Sequence, residues 1–186
     1  MSPLRKKILS TANYLFQTQG INSTGVDTIV AAAGTTKMTL YKYFRSKENL
    51  ILEVLEQGHQ DFQTWLIDKL ISKQPSEKLQ QLFEFIEEWV TSPNFQGMVF
   101  IKASAEFPSE TSAVHQLSSE QSRQFKQYIS SLASEADIED ADGLALQLSL
   151  LFEGAVQAEQ MIRGSGAMTY AKKAAKILIN GATKHS

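Results

Sequence analysis

The chain has 186 residues, 42% of them hydrophobic, enough for a small domain joined to a larger one with a real core. It contains no cysteine, which excludes disulfides, zinc-thiolate sites, iron-sulfur clusters and cysteine nucleophiles, and no long apolar run marks a secretory signal or membrane span, so a cytoplasmic protein is expected. The net charge of −2 hides an asymmetry: residues 1–50 carry seven Lys or Arg against Asp27 and Glu48, a net of +5, and the remainder carries −7, as expected when one end meets phosphate.

Ser2 and Pro3 form a cap and first-turn pair, and Leu4, Ile8, Leu9, Ala12, Leu15 and Phe16 mark one apolar stripe ending before Gly20. This predicts a first helix. Arg5, Lys6 and Lys7 stand at its start, where the helix dipole disfavours cations, so they are either solvated or compensated by a polyanion. Thr24 is the expected N-cap of a second helix over 25–33, with Asp27 in its first turn and Val26, Ile29, Val30 and Ala33 at helical spacing. Gly34 suits the left-handed residue that ends a helix, and Thr35 and Thr36 offer the next cap. A third helix over 37–44 turns Leu40 and Phe44 inward and leaves Lys37, Thr39, Tyr41, Lys42 and Tyr43 outward.

Two short helices around a glycine turn, the second with cationic, hydroxyl and aromatic outward positions, form a helix-turn-helix pattern whose second helix fits a major groove. An ordinary pair of core helices fits the same periodicity. The run AAAGTTKMTLYKYFRSKENL resembles the DNA-binding signature of the TetR/AcrR family of transcriptional regulators. It departs from the commonest form of that signature at Thr35, Met38 and Tyr43. The resemblance implies an all-α chain: a three-helix DNA-binding domain over 1–48, and a larger helical effector-binding and dimerisation domain over 49–186. It implies a homodimeric, sequence-specific regulator, a repressor released from a palindromic operator by a small molecule. Lys37 is then assigned to a base edge or phosphate, Thr39 and Tyr41 to the backbone or a thymine methyl, and Lys42 and Tyr43 to their flanks. Thr24, Thr36 and Lys47, each at a helix start, are assigned to phosphates, so Lys47→Ala is expected to give a shallower salt dependence.

Beyond Ser46, a cap, Leu50, Ile51, Val54, Leu55, Phe62, Trp65, Leu66 and Leu70 keep a helical period to about Ser72, roughly 39 Å of helix at 1.5 Å per residue. Such a rod joining head and body suits the transmission of a tilt, and equally suits a plain amphipathic helix. Gln74-Pro75-Ser76 opens a helix rich in aromatics that runs to Ser92-Pro93. Further helices are expected over 97–107, 116–133, 144–162 and 170–179, the last two split by Gly164-Ser165-Gly166. The segment GMVFIKASAEFPSETSAVHQ also resembles the middle of one TetR subgroup's effector domain.

The aromatics Phe62, Trp65, Phe85, Trp89, Phe100, Phe107, Phe125, Tyr128 and Phe152 suit either plain core or the wall of a pocket. Glu106, Tyr128 and Gln157 are its candidate polar anchors. The family likeness assigns the last two helices to a four-helix dimer interface, with Leu144, Leu148, Leu151, Gly154, Ala155, Ala158, Tyr170 and Ile177 as its residues, although that stripe would also serve a monomer's core. A ligand-independent DNA-binding protein is one rival reading. A helical-bundle metal enzyme is another, but Glu56 and His59 give only half of a paired Glu-x-x-His site. His115 and His185, the latter in a tail expected to fray, add nothing to it. In EADIEDAD, Asp140 and Asp142 are expected to cap a helix rather than bind calcium. No cofactor, metal or catalytic residue is expected.

Overall fold

The computed structural model describes residues 2–71, 73–93, 95 and 97–183, and these contain nine α-helices and no strand. They are α1 (Pro3–Gln19), α2 (Val26–Ala33), α3 (Lys37–Phe44), α4 (Lys47–Leu70), α5 (Pro75–Thr91), α6 (Val99–Glu106), α7 (Ala113–Glu135), α8 (Ala141–Met161) and α9 (Ala167–Thr183). The expected helix end near Ser72, and His185, lie outside the described residues. Backbone contacts group Met1–Asp61 with Met98–Gln121 as one compact unit, and Phe62–Gly97 with Ser122–Ser186 as a second. The functional division expected at residue 48 is therefore not the line along which the backbone clusters. Residues 98–121, distant in sequence, pack with the amino-terminal helices.

In the first unit the local signals at the starts of α1 and α3 act as read. The Ser2 hydroxyl accepts the Arg5 amide with Pro3 in the first turn, and the Thr36 hydroxyl accepts the Thr39 amide at the start of α3. Gly34 takes φ 65°, ψ 45°, the left-handed region where a side chain is disfavoured, and the Thr35 amide returns to Val30 O at 2.9 Å. Ile8, Ala12, Phe16, Ile21, Ile29, Leu40, Phe44 and Leu50 form the core that fixes α1, α2 and α3 together. The start of α2 differs from expectation. Gly25, not Thr24, is its N-cap, and no side chain caps it. Thr24 is fully buried, its hydroxyl donating to Gly20 O at 2.6 Å, because the turn after α1 needs that carbonyl satisfied.

In the second unit α9 packs on α5 and α8, and two buried or half-buried carboxylates hold it there. Glu87 on α5 accepts from the Thr169 hydroxyl at 2.6 Å and pairs with Lys172, both on α9. Glu159 accepts the Gly164 amide at 3.0 Å in the α8–α9 turn. Burial pushes both carboxyls up, but the bonds from Lys172 and Thr169, and from Ser165 and the turn amides, more than offset it and hold both below their ordinary values. The sign follows from proton binding: below the ordinary carboxylate value of 4.5 the unfolded chain takes up more protons than the folded one. Stability present at neutral pH is therefore lost as pH falls through the depressed values. Unfolding midpoints measured from about pH 6 down to pH 3 should fall, and Glu87→Gln should flatten that fall; an unaltered profile in this variant would mean that Glu87 contributes nothing to it.

Candidate nucleic-acid interface

The eight residues of α3 divide cleanly. Leu40 and Phe44 are buried against the core, and Lys37, Met38, Tyr41 and Lys42 are exposed, as is Arg45 just beyond the helix. These five occupy positions i, i+1, i+4, i+5 and i+8, one face of a helix. Thr39 and Tyr43 flank it, half-buried. The surface so presented is two lysines, an arginine, a phenol and a thioether, chemistry suited to phosphates and base edges in a major groove.

Several of these groups are engaged within the chain. The Thr36 hydroxyl lies 3.0 Å from that of Thr39, and the Ser2 hydroxyl donates to the Tyr43 oxygen at 3.1 Å. Lys37 Nζ lies 2.8 Å from Asp27 Oδ1, and the hydrogen bond to that carboxylate holds its ammonium above the ordinary value. Both partners are exposed, so the pair is weak and a phosphate can compete for the lysine. Arg45 takes φ 61°, ψ −40°, with the Ser46 amide 2.6 Å from Phe44 O, a γ-turn in a region costly for a residue with Cβ. That turn swings the chain into α4, whose start the Ser46 hydroxyl caps by accepting the Asn49 amide at 3.0 Å.

Three expected roles change. Thr24 cannot hold a phosphate through its side chain, because that side chain is buried with its hydroxyl committed. Lys47 points its ammonium inward, donating to Ile21 O at 2.8 Å; burial pushes its pKa down, partly offset by Glu106 nearby. Glu106 is no pocket anchor: its carboxylate accepts the Ile21 amide at 2.9 Å and the Asn22 amide at 2.6 Å, and its carbonyl accepts the Asn22 side chain at 3.1 Å. With Lys102, which donates to Gln17 O, these groups clasp the turn between α1 and α2. Arg5 is likewise used inside the unit, paired with Glu53 and with its guanidinium 4.9 Å from the Phe44 ring centre. Lys6 and Lys7 are exposed.

For Lys47→Ala the expected outcome is accordingly an unchanged salt slope of DNA binding with an unfolding free energy lower by about 1–2 kcal/mol, the usual cost of a charged hydrogen bond only partly out of water. Parallel salt titrations and thermal melts check it. A shallower slope would return Lys47 to the phosphate contacts.

In the second unit Phe62, Trp65, Trp89, Phe125 and Phe152 form one ring cluster, with centroid separations of 5.1 Å for Phe62–Trp89 and 4.4 Å for Phe125–Phe152. Phe95, not singled out in the sequence, joins at 4.7 Å from Trp89. Phe85 instead lies beneath Lys69, Phe100 belongs to the first unit, and Gln157 is exposed on α8. Tyr128 is half-buried, and burial pushes its phenol up. Among the described residues of the second unit the buried side-chain polar atoms without a partner are different ones, Ser149 Oγ and both amide atoms of Gln160; Gln121 Oε1 is a further one in the first unit.

Of the residues expected at a dimer interface, Leu144, Leu148 and Ala155 are buried within their own chain. Leu151 and Ala158 are half-buried, whereas Gly154, Tyr170 and Ile177 are exposed. The exposed apolar stripe of α8 runs instead through Leu146, Leu150, Gly154 and Met161. The four-residue spacing was present in the sequence, but only packing shows which of two apolar stripes faces inward. Asp140 caps α8 by accepting the Gly143 amide at 3.0 Å. Among the described residues no group of three or more His, Asp or Glu is arranged to hold a metal ion.

A buried three-helix scaffold presenting the polar face of its third helix defines a helix-turn-helix DNA-binding protein. Residues 8–54 match the family model described as bacterial regulatory proteins, tetR family. The chain is 22% identical over 152 residues to the HTH-type transcriptional regulator YjdC of Escherichia coli (strain K12), covering 81% of this chain and 80% of that one. Over 101 residues it is 34% identical to the HTH-type transcriptional repressor KstR2 of Mycolicibacterium smegmatis, covering 52% of this chain and 47% of the relative. A crystal structure of a TetR-family transcriptional regulator from Streptomyces coelicolor superposes with a TM-score of 0.91 at 25% identity, covering 97% of this chain and 96% of that one. Residues 8–54 are thus similar to the tetR-family DNA-binding region, and these likenesses support the reading of the chain as a DNA-binding transcriptional regulator. No helix among the described residues is long and apolar enough to cross a membrane.

Proposed function

We propose that the chain is a cytoplasmic homodimeric repressor, not an enzyme, that grips a palindromic operator with two copies of α3 and releases it when a small molecule binds. The observation that carries the DNA half is the outward face of α3: two lysines and Arg45 standing free of the core around Tyr41, on a head of net positive charge. Thr36 and Thr39 flank the groove side, and the free amides at the start of α3 take a phosphate. The exposed stripe of Leu146, Leu150, Gly154 and Met161, with Tyr170 and Ile177 of α9, supports pairing with a second copy. One recognition helix covers too few base pairs for useful specificity, and a two-fold dimer reads two half-sites.

For the effector the supporting feature is the ring cluster around Phe62, together with the unsatisfied atoms of Ser149 and Gln160 in the same unit. Buried polar atoms left unpaired favour a ligand that supplies their partners. An aromatic or otherwise apolar molecule carrying a hydrogen-bonding group fits this chemistry. Its binding is coupled to operator binding, so it should bind less tightly when the operator is present. Selection of duplexes from a randomised pool, followed by calorimetric titration of a thermal-shift hit with and without the selected duplex, tests both halves. Equal effector affinity in the two titrations would favour a regulator with no ligand switch.

A further inference from the structure

Met38 is 81% exposed, the most exposed large hydrophobic side chain among the described residues, and it stands in the first turn of α3 on the outward face. Nothing in the fold uses it. Its polar neighbours at that end are already engaged: Thr36 and Thr39 with each other, and Lys37 with Asp27. The thioether is therefore the large side chain at the leading end of the helix with no partner of its own, and it can neither donate a hydrogen bond nor strongly accept one.

The amino-terminal residues of a recognition helix are those that reach base edges. In the major groove the feature that matches an apolar side chain is the pyrimidine C5-methyl group, carried by thymine and absent from unmodified cytosine. We propose that Met38 is a specificity-determining residue that selects one T:A pair in each half-site by packing its thioether against the thymine methyl. The inference rests on the proposed seating of α3 in the major groove. Lys37, Tyr41 and Lys42 supply affinity and register through phosphates and hydroxyls, and Met38 supplies discrimination. Methionine suits the task because its unbranched, polarisable chain moulds to a methyl without a fixed geometry.

The test uses the intact chain and a duplex selected from a randomised pool, with each thymine replaced in turn by deoxyuridine, which removes only the methyl. Wild-type protein should lose about fourfold in affinity at one position of each half-site, the effect of exposing one methyl-sized group. The Met38→Ala protein should show no loss at that position. Placing 5-methylcytosine opposite guanine there should bind wild type more tightly than unmodified cytosine, since it returns the methyl alone. Met38 is solvent-facing, so the alanine variant keeps its fold, and a thermal melt matching wild type documents that. If both proteins bind the duplex and suffer equal uracil penalties at every position, the proposal is overturned while the seating of α3 stands. If wild type retains no duplex at all, both are overturned.

Discussion

Replacing Lys37 and Lys42 together by alanine should weaken operator binding by on the order of a thousandfold at 0.1 M salt. Each protein cation seated on a phosphate releases condensed counterions, so affinity falls with salt at about 0.9 logarithmic units per contact. Two lysines in each of two subunits make four contacts, and their loss should leave the slope shallower by roughly 3.6. At 0.1 M that change corresponds to a factor between about a thousand and ten thousand. Both side chains are exposed, so the fold should not suffer, and melting the variant controls for this. Fluorescence anisotropy with a labelled duplex between 50 and 200 mM salt reads both quantities. A slope unchanged within error would move the phosphate contacts off the face of α3 and leave Arg45, Lys6 and Lys7 as the cations to test.

Glu106→Ala should lower the unfolding midpoint by roughly 5–10 °C. The carboxylate accepts two backbone amides of the α1–α2 turn, and its removal leaves the Ile21 amide, on a fully buried residue, without its partner. An unsatisfied buried donor costs about 1–3 kcal/mol, and in a chain of this length each kcal/mol moves the midpoint by some 2–4 °C. Lys47 suffers with it, because its inward ammonium rests on the same turn and keeps its charge partly through Glu106. Glu106→Gln keeps one acceptor oxygen and should lose about half as much. Operator affinity should drop in the same order, since only the ordered head can dock. Were Glu106 a ligand anchor, the substitution would spare the melt and alter only the response to effector. Thermal scans in the absence of any ligand separate the two cases.

The α3 lysines and Glu106 also show what the amino-acid sequence makes legible. The helix-turn-helix could be read at the level of single residues because its signals are local: the Ser2-Pro3 start, the left-handed Gly34, the Thr36 cap and the buried pair Leu40 and Phe44 all act within a turn or two of themselves. The α3 bounds follow from them directly. Met38 and Arg45 belong to the same face by the same arithmetic, although the hydroxyl and amine chemistry of their neighbours draws the eye first. Glu106 was illegible because its partners lie 84 and 85 residues away, and no spacing rule announces that a carboxylate will bond a distant turn. Thr24 misleads for a related reason. A threonine before a helix is a good cap, yet here the preceding turn claims its hydroxyl first.

On α8 two apolar stripes overlap in sequence, and the packing of the second unit leaves only one of them covered. Leu144 and Leu148 go inward and Leu146 and Leu150 outward, a choice made by tertiary packing that periodicity cannot make. The ring cluster was visible as a composition of aromatics, but Ser149 and Gln160, whose polar atoms lack partners, carry no mark in the sequence.

Chemical footprinting of the selected duplex with dimethyl sulfate asks most directly whether the outward face of α3 lies in the major groove. The reagent reports guanine N7 in the major groove and adenine N3 in the minor groove separately. Bound protein should protect guanine N7 positions in two symmetry-related half-sites, their centres one helical turn or a multiple of about 34–36 Å apart. Protection confined to adenine N3, or no duplex retained at 50 mM salt, would contradict it.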